Sequence, residues 1–327
     1  MRAIQVRGYG PPDVLQVADL PDPVPGPGQI LVAAETCDVL FVDTMIRSGA
    51  ANGYFPVQLP YVPGNGVGGT VVAVGESVDP AWAGRTVVAH TGGAGGSGGY
   101  AALAVADAAH TAAVPDGVDL LAATAVLHDG TTALRVLELC DIQPGERVLV
   151  LGAAGGMGIL LVQLLAAAGA YVVGAVRGQA KRTAVARAGA LATVDYGRPG
   201  WTDAVLDATG GTRPAVILDG VGGPVGTAAF ALVADGGRFS AHGAPSGSFA
   251  SIDADAARRR QVRVTTIADL QYGAGDRGRL TKEIVTRLAE RRFAPVIGQT
   301  FPLADAAKAH EAIEARRTMA KTLLLAR

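Results

Sequence analysis

Arg147-Val148-Leu149-Val150-Leu151-Gly152-Ala153-Ala154-Gly155-Gly156-Met157-Gly158 runs a short apolar strand into a glycine turn that opens an apolar helix. Without a Cβ, Gly152 and Gly155 permit a sharp turn and let the backbone approach a pyrophosphate closely. Gly158 lets the helix pack tightly on the strand. The helix N-terminus supplies free N–H groups and a partial positive charge for phosphate. The residues that follow agree with this reading. Gly156–Ala168 has the composition of a buried helix and Tyr171–Val176 that of a second buried strand, at the spacing of a βαβ unit. The stretch therefore predicts a dinucleotide site with Gly152, Ala154, Gly155, Gly156, Met157 and Gly158 at its phosphates; the plainer alternative is a structural glycine turn. No charged residue interrupts Val148–Val176, which is long enough for a membrane span. Its glycines, however, fall at turn positions and its period changes twice, as in a strand, helix and strand buried in an α/β core.

Working outward, the same alternation continues downstream. Lys181–Ala188 reads as a helix, and Ala192–Asp195, Val216–Asp219 and Gly236–Ser240 read as strands. The fold class this predicts is α/β, with a doubly wound parallel sheet. Upstream the pattern is different. Ala3–Val6, Ile30–Ala34, Thr70–Val74 and Gly84–Ala89 are short strand-like runs, joined by a proline-rich connector over Pro21–Gly28. The segment from Gly92 to Gly99 holds six glycines in eight residues and predicts a mobile loop; with no Gly-Lys-Ser/Thr after it, it is no P-loop. This part predicts a mostly antiparallel β domain. One long helix is expected over Ala122–Leu139. Beyond Arg260 come a strand (Val262–Ile267), helices over Leu280–Glu290 and Asp305–Ala315, and a last strand, Lys321–Leu325. The expected domains are residues 1–118 completed by 261–327, and 119–260.

Composition narrows the function classes. At 327 residues the chain has room for two domains at ~150 residues each. With 49% apolar and 17% charged residues it is too apolar for a disordered protein. A net charge of -1 lacks the basic surplus a nucleic-acid binder needs to displace counterions. Two cysteines, Cys37 and Cys140, cannot form a disulfide framework and read as small packed residues. No secretory h-region follows Met1-Arg2, so a cytoplasmic protein is expected.

Charge also indicates which dinucleotide. A site for NAD usually carries a carboxylate at the end of its second strand to accept from the ribose 2′-OH. Arg177 stands there instead, with Lys181 and Arg182 close behind and no Asp or Glu between Val172 and Arg187. Such a cationic cluster attracts a 2′-phosphate, which predicts NADPH; the alternative is a solvated basic turn.

Taken together these residues resemble the zinc-independent quinone oxidoreductases of the medium-chain dehydrogenase/reductase superfamily, essentially from end to end. The resemblance rests on Met1-Arg2-Ala3-Ile4, Asp43-Thr44-Met45-Ile46-Arg47-Ser48-Gly49, Gly68-Gly69-Thr70-Val71 and Gly130-Thr131-Thr132-Ala133. It continues through Ala153-Ala154-Gly155-Gly156-Met157-Gly158, Asp219-Gly220-Val221-Gly222-Gly223 and Lys321. It implies a GroES-like β domain, a Rossmann domain, a cleft between them for nicotinamide and substrate, and a homodimer. It further implies that Lys181 and Tyr196 hold the 2′-phosphate, that Thr131 lies near the nicotinamide, and that Gly243 to Gly247 lines the cofactor.

Zinc-dependent relatives place a histidine in a Gly-His-Glu turn where this chain has Gly64-Asn65-Gly66, and their first cysteine aligns with Leu40. No four-cysteine lobe exists, so a zinc-free site is expected. Hydride addition to a quinone or an enone builds a delocalised phenolate or enolate, which hydrogen bonds stabilise more easily than a localised alkoxide. The expected reaction is therefore NADPH-dependent quinone reduction. Its alternatives are an enoyl or alkenal reductase, or a cofactor-binding module without turnover. Members of the family commonly carry an asparagine and a tyrosine where Leu40 and Met45 stand here, which leaves the proton donor open. Tyr54 is a candidate donor or stacking wall, or else a loop anchor. His128 reads as a proton relay or as a hydrogen-bonded helix histidine, and Asp43 as a structural carboxylate. Arg258-Arg259-Arg260 reads as an exposed helix-end charge run, or as a patch that steers an anionic substrate.

Overall fold

Continuous Val, Ile and Leu runs with no polar face need burial on both sides, and six of them form one parallel sheet. The computed structural model describes residues 1–92, 98–273 and 275–326. The sheet's strand order is Arg263–Thr266, Arg238–Ala241, Val216–Asp219, Arg147–Leu151, Tyr171–Val176, Ala192–Asp195. The pairings are in step, Val216 opposite Val148 and Val148 opposite Val172, so the strand ends finish level. Helices Gly156–Ala167 and Gln179–Arg187 cross between the first strands of this sheet. Leu149, Val173, Ile217 and Phe239, all fully buried, form its core, with Phe239 edge-on to Phe230 at 5.5 Å between centroids. Each such side chain contributes about 1.5–3 kcal/mol by leaving water.

The other sheet is antiparallel and closes on itself. Gln29–Val39 pairs with Gly66–Val74, then Thr86–Thr91 and Leu103–Ala113 follow, and Leu103–Ala113 returns to pair with Gln29–Val39. Register shifts at Leu31/Val32 and Ala34/Thr36 bend the long strand enough to serve three neighbours. Its third neighbour is Lys321–Leu325, which in turn pairs in parallel with Ile297–Pro302. Ile4, Val6, Ile30, Val32, Val67, Val87, Tyr100 and Leu324 fill the interior. The expected GroES-like β domain and doubly wound sheet are thus both present.

The chain divides into two compact units, residues 1–131 with 273–327, and residues 132–272. These divisions fall later along the chain than the expected 118/119 and 260/261. Helix Leu120–Ala125 packs on Gly66–Val74 and Gln29–Val39, which puts it with the β unit. The single helix expected over Ala122–Leu139 is in fact two, Leu120–Ala125 and Leu127–Cys140, with Val126 closing the first. Strand Leu103–Ala113 and helix Phe41–Ser48 were not expected from sequence. The glycine run from Gly92 to Gly99 falls largely outside the described residues. Among the described residues no helix is long and apolar enough to cross a membrane. Cys37 and Cys140 are both buried and unpaired, and burial pushes their thiols up to about 12 and about 11.

Candidate functional site

In the parallel sheet the sequence order reverses beside Arg147–Leu151, which starts one half of the sheet and borders Val216–Asp219 of the other half. The carboxyl ends of two such strands are where an open α/β sheet binds its ligand. Three backbone turns meet there. Gly152 has φ +70°, and a Cβ on it would stand 3.2 Å from Val221 Cγ2 and 3.4 Å from the Gly220 carbonyl. A Cβ on Gly243 would run into the Gly220 backbone. Asp219, fully buried, shapes the middle turn by accepting from the amides of Val221 (2.9 Å) and Gly222 (2.8 Å). Burial raises its carboxyl, and these two amides oppose the rise.

Helix Gly156–Ala167 starts at Gly155 with no side chain capping it, which leaves its first amides for a ligand. A Cβ on Gly155 would meet only the Gly152 carbonyl, at 3.4 Å, so the space before the helix is open. A Cβ on Gly158 would overlap Gly152 and Ala153. The two glycines therefore have separable roles. Gly155→Val is expected to keep the fold but to fill the anion site and abolish coenzyme binding by calorimetry. Gly158→Ala is expected to lower the thermal midpoint of the protein, because the helix must move off its strand. A Gly155→Val protein that still binds coenzyme would count against the site.

At the ends of the second and third strands, the Arg177 guanidinium lies over the Tyr196 ring, 5.2 Å from its centroid. Lys181 belongs to the first turn of helix Gln179–Arg187, and Arg182 donates to the Thr193 hydroxyl and carbonyl, both at 3.2 Å. A carboxylate that inspection of the second strand alone misses also lies here. Asp195 accepts from the amides of Gly197 (2.9 Å) and Gly178 (3.1 Å), with Arg198 3.8 Å away. Those bonds hold its carboxyl below the usual range and occupy both oxygens with the turns on either side of Arg177. Gly152, Ala154, Gly155, Gly156, Met157, Gly158, Arg177, Lys181, Tyr196 and Gly243 thus all follow the carboxyl ends of strands of one sheet.

Tyr54, Thr131, His128 and Asp43 lie in the β unit. Thr131 is fully buried, and its hydroxyl donates to the His128 carbonyl at 3.0 Å, one helical turn back. The next residue, Thr132, which sequence reasoning passed over, brings its hydroxyl to 3.3 Å from that of Tyr272. Tyr54 sits on the turn after helix Phe41–Ser48 with 68% of its surface exposed. His128 meets His90 edge-on at 5.7 Å, and its buried Nδ1 has no hydrogen-bond partner among the described residues. Asp43 accepts from Leu40 N (2.9 Å), Asn65 Nδ2 (2.7 Å) and the Tyr100 hydroxyl (3.0 Å), with His310 Nε2 3.1 Å from that hydroxyl. Burial lifts the Asp43 carboxyl to about 6 against these donors. In the other unit, Arg258 pairs with Asp255 of its own short helix, and Arg260, which closes that helix, pairs with Asp235 in the turn before strand Arg238–Ala241.

Within the β unit, residues distant in sequence assemble an ion triad. Lys321 Nζ contacts Asp38 Oδ1 and stands 3.1 Å from Asp129 Oδ2. Lys321 and Asp38 are almost wholly buried. Burial works against the Lys321 charge, but Asp129 and Asp38 together more than compensate and keep the ammonium protonated.

Burial lowers the His128 imidazole to about 4, Asp129 opposing and Lys321 and Arg277 reinforcing the effect. In the unfolded chain it titrates near 6.5. The native state therefore binds fewer protons below pH 6.5, and stability falls as pH drops from there toward 4, by about 1.4 kcal/mol per pH unit for this group. His128→Gln is expected to flatten the acid limb of a stability-against-pH profile by that amount. An unchanged slope would contradict it.

The glycine turn at the switch point and the closed antiparallel sheet together define the class: a medium-chain dehydrogenase/reductase. Family models agree. "Alcohol dehydrogenase GroES-like domain" matches residues 26–116 and "Zinc-binding dehydrogenase" residues 188–324. The quinone oxidoreductase of Pseudomonas aeruginosa is 31% identical over 99% of both chains, and quinone oxidoreductase 1 of Escherichia coli 28% over 98% of both. Among solved structures, the Escherichia coli quinone oxidoreductase complexed with NADPH superposes with a TM-score of 0.91 at 26% identity, covering 99% of this chain and 100% of that one. A mycobacterial protein complexed with NADPH gives 0.89 at 33% identity, covering 99% of both. The chain belongs to the quinone oxidoreductase family of that superfamily.

Proposed function

We propose that this oxidoreductase binds NADPH and reduces quinones without zinc. The observation that supports the reading is the Arg177 guanidinium over the Tyr196 ring, with Lys181 in the first turn of the helix that follows, at the carboxyl ends of strands where a doubly wound sheet receives the adenosine ribose. Both similar solved proteins named above were crystallised with NADPH, which supports the same coenzyme here. When bound, NADPH supplies the hydride. The Gly156, Met157 and Gly158 amides at the uncapped helix start would hold its pyrophosphate, and Arg177, Lys181 and Tyr196 would hold its 2′-phosphate.

The residues at the zinc positions of metal-dependent relatives do not fit a metal. Leu40 has no donor atom, and the Asn65 amide is engaged as a donor to Asp43. Among the described residues no group of three or more His, Cys, Asp or Glu side chains is placed to hold an ion. The acceptor is therefore one whose reduced form spreads its charge, a quinone first and an enone second. We further place the protein in the cytoplasm, which suits its two free thiols, and read it as a homodimer, which suits the unpaired outer edge of strand Arg263–Thr266.

Steady-state assays of NADPH oxidation against a quinone panel and an enone panel test the reading, with elemental analysis on the same sample. The expected result is turnover with quinones and no stoichiometric zinc. Turnover confined to enones would select the enoyl or alkenal reductase. Tight NADPH binding with no oxidation in either panel would make the chain a binding module.

A further inference from the structure

We propose that Asp195 is a positioning residue for coenzyme choice, its carboxylate stapling together the two turns that carry Arg177 and Tyr196. The inference rests on the coenzyme reading above and adds a residue that acts through Arg177 rather than on the phosphate itself. Strands Tyr171–Val176 and Ala192–Asp195 run in parallel with Val176 opposite Asp195, so the next residues, Arg177 and Tyr196, leave the sheet side by side. The Tyr196 amide still donates to the Val176 carbonyl, at 3.0 Å, as in the ladder. Beyond it the Asp195 side chain takes over, one oxygen accepting from the Gly178 amide (3.1 Å) and the other from the Gly197 amide (2.9 Å). Gly178 and Gly197 directly follow Arg177 and Tyr196, so each bond fixes the peptide plane that one of those two residues ends on.

The residue type follows from that task. Two amide donors need an acceptor with two oxygens and no proton of its own, which an ionised carboxylate provides and an asparagine does not. The Gly197 amide, and after it that of Gly178, holds the Asp195 carboxyl below the usual range against burial, so it stays ionised at neutral pH. Gly178 has φ +83° and begins helix Gln179–Arg187 with no side-chain cap of its own. A Cβ on Gly197 would stand 3.1 Å from Asp195 Oδ1 and 3.5 Å from Arg177 Cγ, so the arginine stem lies along the turn that the carboxylate holds. From there the guanidinium reaches over the Tyr196 ring. The charge of Asp195 by itself repels a phosphate, and Arg198, 3.8 Å away with its side chain 78% exposed, offsets little of it. Geometry and charge therefore predict effects of opposite sign when the carboxylate is removed.

Calorimetry of the full chain with NADPH and with NADH tests this. Asp195→Ala is expected to weaken NADPH roughly tenfold, the share of one charged contact to the phosphate. The same variant should hold NADH like the wild type, which also reports an intact glycine turn. Asp195→Asn keeps one acceptor oxygen and should fall between the two. In an Arg177→Ala background, Asp195→Ala should cost less than about twofold more, because the two residues act as one unit. Tighter NADPH binding in Asp195→Ala or Asp195→Asn would overturn the proposal, since the carboxylate would then act only as a charge. Unchanged NADPH affinity in Asp195→Ala would overturn it as well, as would equal losses for both coenzymes or a full tenfold further loss in the Arg177→Ala background. A wild type that holds NADH as tightly as NADPH would instead strike the coenzyme reading itself and take this proposal with it.

Discussion

Lys321→Met is expected to lower the stability of the β unit by about 3–5 kcal/mol, the cost of leaving a buried charge without its partner. Asp38 is fully buried and has Lys321 as its ion-pair partner, while Asp129, still 15% exposed, can be met by water. Methionine keeps the length of the lysine stem and removes only the charge, so packing changes little. Burial already presses the Asp38 carboxyl up to about 7, and Lys321 is the largest opposing influence. Without the ammonium Asp38 must take up a proton or draw in water. Urea titration at neutral pH reads the effect as a fall in midpoint. A companion Asp38→Leu, Lys321→Met variant should recover much of the loss, since removing both charges removes the orphan. A loss under about 1 kcal/mol for Lys321→Met alone would mean that water reaches the triad and that the pair resembles a surface one.

The second large effect concerns coenzyme choice. Arg177→Ala with Lys181→Ala is expected to weaken NADPH about a hundredfold, each charged contact to the 2′-phosphate contributing at the low end of about 1.5–3 kcal/mol because Arg177 is exposed to water. NADH, which carries no phosphate there, should be held as before. Paired titrations of the variant and wild type with both coenzymes check this. Equal losses for NADPH and NADH would refute the assignment. Tyr196→Ala alone should show a smaller version of the same selectivity, because the ring holds the Arg177 guanidinium from one face.

The glycine turn was legible because its chemistry is local. A strand, a turn without side chains and a helix N-terminus occupy consecutive residues, and the parallel strands around them are uninterrupted apolar runs such as Tyr171–Val176. The antiparallel sheet was harder to read. Leu103–Ala113 is rich in alanine, a helix former, and is a strand because Gln29–Ala33 and Val87–Ala89 pair along its two edges. Helix Phe41–Ser48 depends on Asp43 turning back to the Leu40 amide, a capping contact that shows no conventional N-cap residue. The break at Val126 likewise interrupts a pattern that is helical on both sides. Within the site, Arg177 and Lys181 could be placed by their distance from the glycine turn, but Asp195 comes from another strand and only the parallel register brings it there. The Lys321 triad draws on residues from opposite ends of the chain, a proximity that no local pattern encodes.

Strand Lys321–Leu325 lies inside its sheet, between Ile297–Pro302 and Gln29–Val39. During synthesis Gln29–Val39 waits with that edge bare until Lys321–Leu325 has left the ribosome. The unit of residues 132–272 is contiguous and can mature meanwhile. A nascent chain stalled before Lys321 should consequently display a completed nucleotide fold beside an open, adhesive sheet, the form in which chaperones and proteases would first meet it.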